Sequence, residues 1–255
     1  MFGFKSKKKK KSELSMDSMQ NGVEMISAAD PSSVISEQFK TVRTNIQFSN
    51  ADKRYRNILL TSSMASEGKS TIAANLAVTF ANQGLKTLLV DADMRRPTIN
   101  ATFSIANPKG LTNYLTDRDF DVNQAIYETS VDNLFVMPSG PVPPNPAELL
   151  NSKRMDLLIK ALSDQLDLVI YDAPPLLSVT DAQVLSTKVE GTILVTRQNT
   201  TEKEAVKHAV DLLKHVNANI IGSIYNDVRS EGGSGYYGYY GYGYYGKSDK
   251  EQKNS

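Results

Sequence analysis

A doubly wound α/β domain on a mostly parallel sheet is predicted by three features of this chain. Short apolar runs lack alternation, amphipathic stretches lie between them, and acidic residues end several of the runs. The first run is Ile58-Leu59-Leu60, followed by a polar loop and a helical stretch over Thr71 to Asn82. Next come Thr87-Leu88-Leu89-Val90, Leu134-Phe135-Val136-Met137 and Leu168-Val169-Ile170-Tyr171. The series closes with Thr192-Ile193-Leu194-Val195, a helical stretch over Thr201 to Val216, and Ile220-Ile221-Gly222-Ser223-Ile224. Continuous apolarity marks strands buried on both faces, as in a parallel sheet with helices on either side. In such folds ligands bind at the carboxyl ends of strands, so the functional residues are sought there.

The 255 residues suffice for one domain with a proper core, and 40% hydrophobic residues suit a globular chain. Net charge is only +1, yet Lys5 and Lys7 to Lys11 gather six positive charges at the start. Residues 1–30, polar and without apolar periodicity, are expected to form a flexible, disordered Lys-rich tail. Three readings of that lysine run stand side by side: a solubilising tail, attraction to anionic lipid headgroups, or nucleic acid. No second basic stripe or aromatic platform supports nucleic acid, so no nucleic-acid partner is expected. No cysteine is present, which removes disulfides and thiolate metal sites. No apolar run approaches the roughly 18 residues of a membrane span, and a cytoplasmic protein is expected.

After the first strand runs Thr61-Ser62-Ser63-Met64-Ala65-Ser66-Glu67-Gly68-Lys69-Ser70-Thr71, and then the helix. Gly68-Lys69-Ser70 is the ending of a phosphate-binding P-loop, with Ser63 where the strict pattern has its first glycine. Backbone N–H groups and a helix N-terminus cradle phosphates in such a loop, the lysine reaches β/γ oxygens, and the serine ligates Mg²⁺. Ala65, Ser66, Glu67, Gly68, Lys69, Ser70 and Thr71 are therefore candidate nucleotide-binding residues. Two further strands run into acidic motifs, Asp91-Ala92-Asp93-Met94-Arg95-Arg96-Pro97 and Asp172-Ala173-Pro174-Pro175. A carboxylate at the end of a buried strand needs a partner, and Mg²⁺ is one; capping a following segment is the other. Asp172 has the position of a Walker B acid, and Asp91 and Asp93 point two carboxylates to one sheet edge.

Near the end, Tyr236, Tyr237, Tyr239, Tyr240, Tyr242, Tyr244 and Tyr245 alternate with glycines. A core strand cannot be built from that composition, so residues 229–255 are expected to be a disordered Gly/Tyr-rich tail behind a single domain at 31–228. The alternatives for the tail are a sticky low-complexity linker and a phosphate acceptor.

These motifs resemble those of the bacterial tyrosine kinases of the P-loop type, in particular the stand-alone kinases that regulate capsule and exopolysaccharide synthesis in Gram-positive bacteria. The likeness covers roughly residues 30 to 245. It is carried by Gly68-Lys69-Ser70, Asp91-Ala92-Asp93-Met94-Arg95, Asp172-Ala173-Pro174-Pro175, the stretch Gly140-Pro141-Val142-Pro143-Pro144-Asn145-Pro146 and the tyrosine cluster. It implies a P-loop NTPase-like fold and an ATP- and Mg²⁺-dependent protein-tyrosine kinase. Lys69 would contact the β/γ phosphates, with Ser70, Asp93 and Asp172 around the metal. Asp91 would be the base for the tyrosine hydroxyl, and Asn226 would read the adenine. The seven tail tyrosines would be the autophosphorylation sites. It further implies a homo-oligomeric ring, a transmembrane polysaccharide co-polymerase as activator, other protein-tyrosine substrates, a cognate phosphatase, and recruitment to the inner face of the cell membrane.

Two positions depart from the family pattern. Ala65-Ser66 replaces Pro-Gly, so Ser66 has to supply a backbone geometry that glycine adopts freely. The assembly motif Glu-x-x-Arg-x-x-Arg reads Glu37, Lys40, Arg43 here, and lysine lacks the bidentate fork of arginine. Partitioning or Min-type ATPases and a nucleotide-switched scaffold share the fold as alternatives. The former usually carry a lysine where this chain has Met64. His208 and His215, among Lys and Glu, read as surface or core-edge residues.

Overall fold

The computed structural model describes residues 18–50, 54–106 and 108–228. The tyrosine cluster and the lysine run both lie outside the described residues. Seven strands form one sheet: β1 (Asn57–Ser62), β2 (Thr87–Asp91), β3 (Tyr127–Glu128), β4 (Leu134–Met137), β5 (Leu168–Asp172), β6 (Gly191–Arg197) and β7 (Ile220–Asn226). Their order across the sheet is β3-β4-β2-β5-β1-β6-β7, and every pairing is parallel except β3 with β4. All six predicted runs are strands. The added β3 is a two-residue antiparallel edge, too short to leave a periodic signal.

The pleat divides the core into two layers. Leu59, Leu88, Val90, Val169 and Tyr171 face one cluster, while Ile58, Leu60, Leu89 and Ile170 face the other. Four long helices cover these faces: α1 (Val34–Phe48), α2 (Lys69–Ala81), α3 (Lys153–Gln165) and α4 (Lys203–His215). Residues Ile72 to Ala81 of α2 are all buried, because α2 lies between the sheet and the Phe39/Ile46 side of α1. Ser33 caps α1 by accepting from Ser36 N, and Ser152 caps α3 by accepting from Met155 N.

Two expectations are corrected here. β7 was expected to be buried on both faces, but it is an edge strand with no residue fully buried, and Tyr225 is 58% exposed. Gly222 and Ser223 interrupt its apolar run, and only β6 flanks it. The second correction concerns the expected tail at 1–30, of which the stretch from Val23 to Ala28 packs on the domain. Val23, Met25 and Ile26 lie against the α2 core, and Ser27 is buried. Asn75, wholly buried in α2, accepts from Ser27 N at 2.8 Å and donates to Glu24 O at 2.8 Å. Three apolar side chains and one buried amide thus hold a segment whose sequence shows no periodicity. Among the described residues, no helix is long and apolar enough to cross a membrane.

Candidate active site at the strand ends

Strand order decides where the motifs meet. β1 delivers the P-loop, and β5 and β2 lie next to it in sequence across the sheet, so three motif-bearing strands end side by side. Asp91 is the register partner of Asp172, and Asp172 is in turn the partner of Leu60, three residues before Ser63 opens the P-loop. The predicted residues Lys69, Ser70, Asp91, Asp93 and Asp172 therefore share one corner. Lys69, Ser70 and Asp93 line a cavity of about 460 Å³ together with Ala65, Ser66, Gly68 and Thr71, among others, while Asp91 and Asp172 are buried behind that lining.

Lys69, the first residue of α2, reaches across this corner. Its Nζ lies 2.9 Å from Asp93 Oδ2 and 3.1 Å from Asp172 Oδ1, and 3.2 Å from Ser70 Oγ. Burial alone would lower the pKa of this ammonium. The charges of Asp172 and Asp93, a hydrogen bond to Asp93 and the charge of Asp91 together carry it above its ordinary value. Asp172, 1% exposed, is raised by burial against the opposing pull of Lys69 and of a hydrogen bond from Ser70. Asp91, completely buried, is pushed up to about 8, first by desolvation and then by the charge of Asp172; the Ile99 N–H works against the shift.

The carboxylate of Asp91 is divided between two tasks. Oδ2 accepts from Thr98 N at 2.9 Å and Ile99 N at 3.0 Å, which fastens the loop after β2 to the short helix Ile99–Thr102. Oδ1 is buried without a partner among the described residues, and so is Asp172 Oδ2. Unpaired buried carboxylate oxygens are costly. The Ser70 hydroxyl and the Asp93 and Asp172 carboxylates are oxygen donors of the kind magnesium takes. No group of three His, Cys, Asp or Glu is spaced to cage an ion among the described residues. Magnesium needs no such cage, because it takes one or two carboxylates and completes its shell with phosphate and water.

The P-loop departures have structural answers. Ser63 is buried with no positive φ, so nothing at that position demands glycine. Ser66 does adopt the left-handed conformation, at φ +66°, as its place in the loop requires. Gly68 follows at φ +91°, and a Cβ there would lie 2.1 Å from Asn226 Nδ2. Asn226, expected to read adenine, donates to Glu67 O at 3.0 Å and so stands against the loop.

The remaining candidates lie on α1. Lys40 bridges to Glu37 at 2.6 Å on the exposed face, and Arg43 donates to Thr79 O at 3.3 Å within the same chain. An ion pair joins Arg95 to an acidic neighbour, Asp181. Two hydrogen bonds of 2.9 and 3.0 Å tie the loop after β2 to a wholly buried carboxylate.

Residues 54–231 match a ParA family model described as an NUBPL iron-transfer P-loop NTPase. The chain has no cysteine to hold an iron–sulfur cluster through thiolates, so the match speaks for fold and nucleotide site. The tyrosine-protein kinase YwqD of Bacillus subtilis is 43% identical over 221 residues, covering 86% of this chain and 92% of that protein. This chain belongs to the bacterial tyrosine-protein kinase family. The solved kinase domain of Escherichia coli tyrosine kinase ETK superposes on the kinase with a TM-score of 0.78 at 31% identity. The superposition covers 85% of this chain and 84% of that one. The Pyrococcus furiosus cell division ATPase MinD shares the fold more distantly, with a TM-score of 0.57 at 28% identity over 66% of the kinase and 70% of its own chain. The kinase is thus a P-loop protein-tyrosine kinase, and its fold is one that binds nucleotide, typically with a divalent metal.

Proposed function

We propose that the kinase transfers the γ-phosphoryl group of ATP to the tyrosines of its own C-terminal segment. In this reading residues 31–228 are the catalytic domain and residues 229–255 the acceptor. The observation that supports it best is the position of Lys69, held between Asp93 and Asp172 at the mouth of a phosphate loop. The side chain is placed to turn from these acids to the β/γ oxygens as nucleotide enters. Backbone N–H groups from Ala65 to Thr71 and the N-terminus of α2 would receive the phosphates. Ser70, Asp93 and Asp172 would hold Mg²⁺, which neutralises phosphate charge when bound.

The phenol oxygen forms a bond to the γ-phosphorus as the bond to the bridging oxygen breaks and ADP leaves. The phenolic proton passes to the free Oδ1 of Asp91, whose other oxygen remains fixed by Thr98 and Ile99. Burial raises the proton affinity of this carboxylate, which is the direction a base requires.

The acceptors Tyr236 to Tyr245 begin 7 and end 16 residues beyond Arg229. A flexible chain of that length spans about 15–24 Å, and about 25–55 Å fully extended. Transfer to a neighbouring subunit fits this reach, with Glu37, Lys40 and Arg43 on the assembly face. Seven phosphates would bring about −10 to −14 charges per tail, enough to drive subunits apart. Because no helix among the described residues is fit to span a bilayer, activation by a transmembrane polysaccharide co-polymerase would bring the kinase to the membrane. Capsule or exopolysaccharide synthesis would be the process controlled.

Incubating the purified chain with labelled ATP, Mg²⁺ and an activator fragment, followed by phosphotyrosine detection, tests the reading. Label in the tail supports it, and nucleotide turnover without phosphotyrosine defeats it. Light scattering before and after phosphorylation tests the assembly cycle, which requires the particle to shrink.

A further inference from the structure

A carboxylate inside an anion-binding loop needs an explanation. Glu67 stands between the two left-handed residues Ser66 and Gly68, and it is 1% exposed. Its charge opposes that of any polyphosphate bound nearby, so a loop selected only for phosphate affinity would not carry it. The side chain does not line the phosphate cavity, although its neighbours Ser66 and Gly68 do. It turns the other way, toward the turn that follows β6 and back to the loop's own backbone.

There both oxygens are occupied. Oε1 accepts from the Thr201 hydroxyl at 2.5 Å, and Oε2 accepts from Met64 N at 3.1 Å. Thr201 Oγ1 accepts in turn from Arg197 N at 2.8 Å, so the hydroxyl is oriented by the turn that follows β6. The backbone on either side is tied to the same place. Arg197 Nη1 donates to Ser66 O at 3.2 Å, and Asn226 Nδ2 donates to Glu67 O at 3.0 Å. The bonds from Thr201, Arg197 Nη1 and Asn226 each bridge the P-loop to a segment more than 130 residues away.

We infer that Glu67 and Thr201 are positioning residues that hold the phosphate loop in its receiving shape. The Glu67 carboxylate spans the loop, from the backbone of Met64 to the β6–α4 turn. That brace keeps Ser66 in a conformation that L side chains disfavour. The N–H groups of the loop are then already directed at the cavity before nucleotide arrives, and ordering them costs nothing at binding. A group that acts in this way strengthens binding of nucleotide in ground and transition states alike, so its loss raises KM and leaves kcat in place.

The inference rests on nucleotide binding at this loop, and the experiment separates the two. Affinity for a fluorescent ATP analogue with Mg²⁺ is measured for the unaltered full chain and for Thr201→Val, Thr201→Ser and Glu67→Ala. Thermal melting without nucleotide is recorded in parallel. Thr201→Val is expected to weaken nucleotide binding about tenfold, the scale of one hydrogen bond to a charged acceptor. Thr201→Ser, which keeps the hydroxyl, is expected to restore it, and Glu67→Ala to weaken it at least as much as Thr201→Val. For the two Thr201 variants KM for ATP should follow the affinity while kcat stays within twofold. Unchanged affinity in Thr201→Val would overturn the inference, as would equal losses in the valine and serine variants. Absence of binding by the unaltered chain would instead defeat the nucleotide reading itself. If Glu67→Ala fails to fold, the threonine pair decides alone.

Discussion

Asp91 and Asp172 are register partners on the neighbouring strands β2 and β5, and Lys69 from the helix after β1 bonds to Asp172 beside them. Burial raises the proton affinity of both carboxylates, and a neighbouring negative charge adds to it, that of Asp172 for Asp91 and that of Asp93 for Asp172. The lysine offsets part of that cost in the absence of ligand. The site is therefore electrostatically tense before substrate enters, with a cation that two acids share and two oxygens left without partners among the described residues.

Lys69→Met removes the shared cation. Phosphoryl transfer is expected to fall by at least about a hundredfold, the scale of losing a charged stabiliser of the transferring group. The ligand-free protein should also melt lower, because Asp93 and Asp172 stay buried without their counter-charge. Differential scanning calorimetry alongside a transfer assay reads both effects.

Asp91→Asn separates capping from proton transfer. Asparagine keeps an acceptor oxygen for Thr98 N and Ile99 N, so the loop after β2 should hold and the melting temperature should stay close to that of the unaltered chain. Transfer should nevertheless drop by about 10²–10⁴, the usual contribution of a positioned base, while affinity for ATP changes little. Steady-state kinetics with calorimetric melting checks this. A kcat equal to that of the unaltered chain would leave Asp91 with only its capping role.

Ser66→Gly relieves a left-handed residue. The expected gain is about 1 kcal/mol, reduced somewhat by the flexibility of glycine in the unfolded chain, so melting should rise by about 2–4 °C. Nucleotide affinity should be retained, since Arg197 bonds to the carbonyl of residue 66 and not to its side chain.

Much of this architecture was legible in the sequence, for a reason that sets its own boundary. Strands such as Leu168–Tyr171 are apolar on both faces because helices cover both, and the acids that end them stand out against that background. β7 misled because an apolar run says nothing about whether a neighbour lies on its far side. The segment at residues 18–30 misled for a related reason. Its attachment depends on Asn75, a polar residue in the middle of an apolar helix, whose partners are 48 and 51 residues away. The brace from Glu67 to Thr201 was equally invisible, since it joins residues 134 apart with no shared periodicity. An acidic partner for Arg95 follows from its charge, but not that the partner is Asp181, 86 residues on. Local pattern located the chemical groups, and the crossovers of the sheet decided which of them touch.

The most direct test of the account is peptide-level mass spectrometry of the purified chain after incubation with Mg-ATP and an activator fragment. The account predicts phosphate on tyrosines between Tyr236 and Tyr245, absent when those seven are phenylalanine although ATP still binds. Consumption of ATP with every one of those phenols unmodified would contradict it.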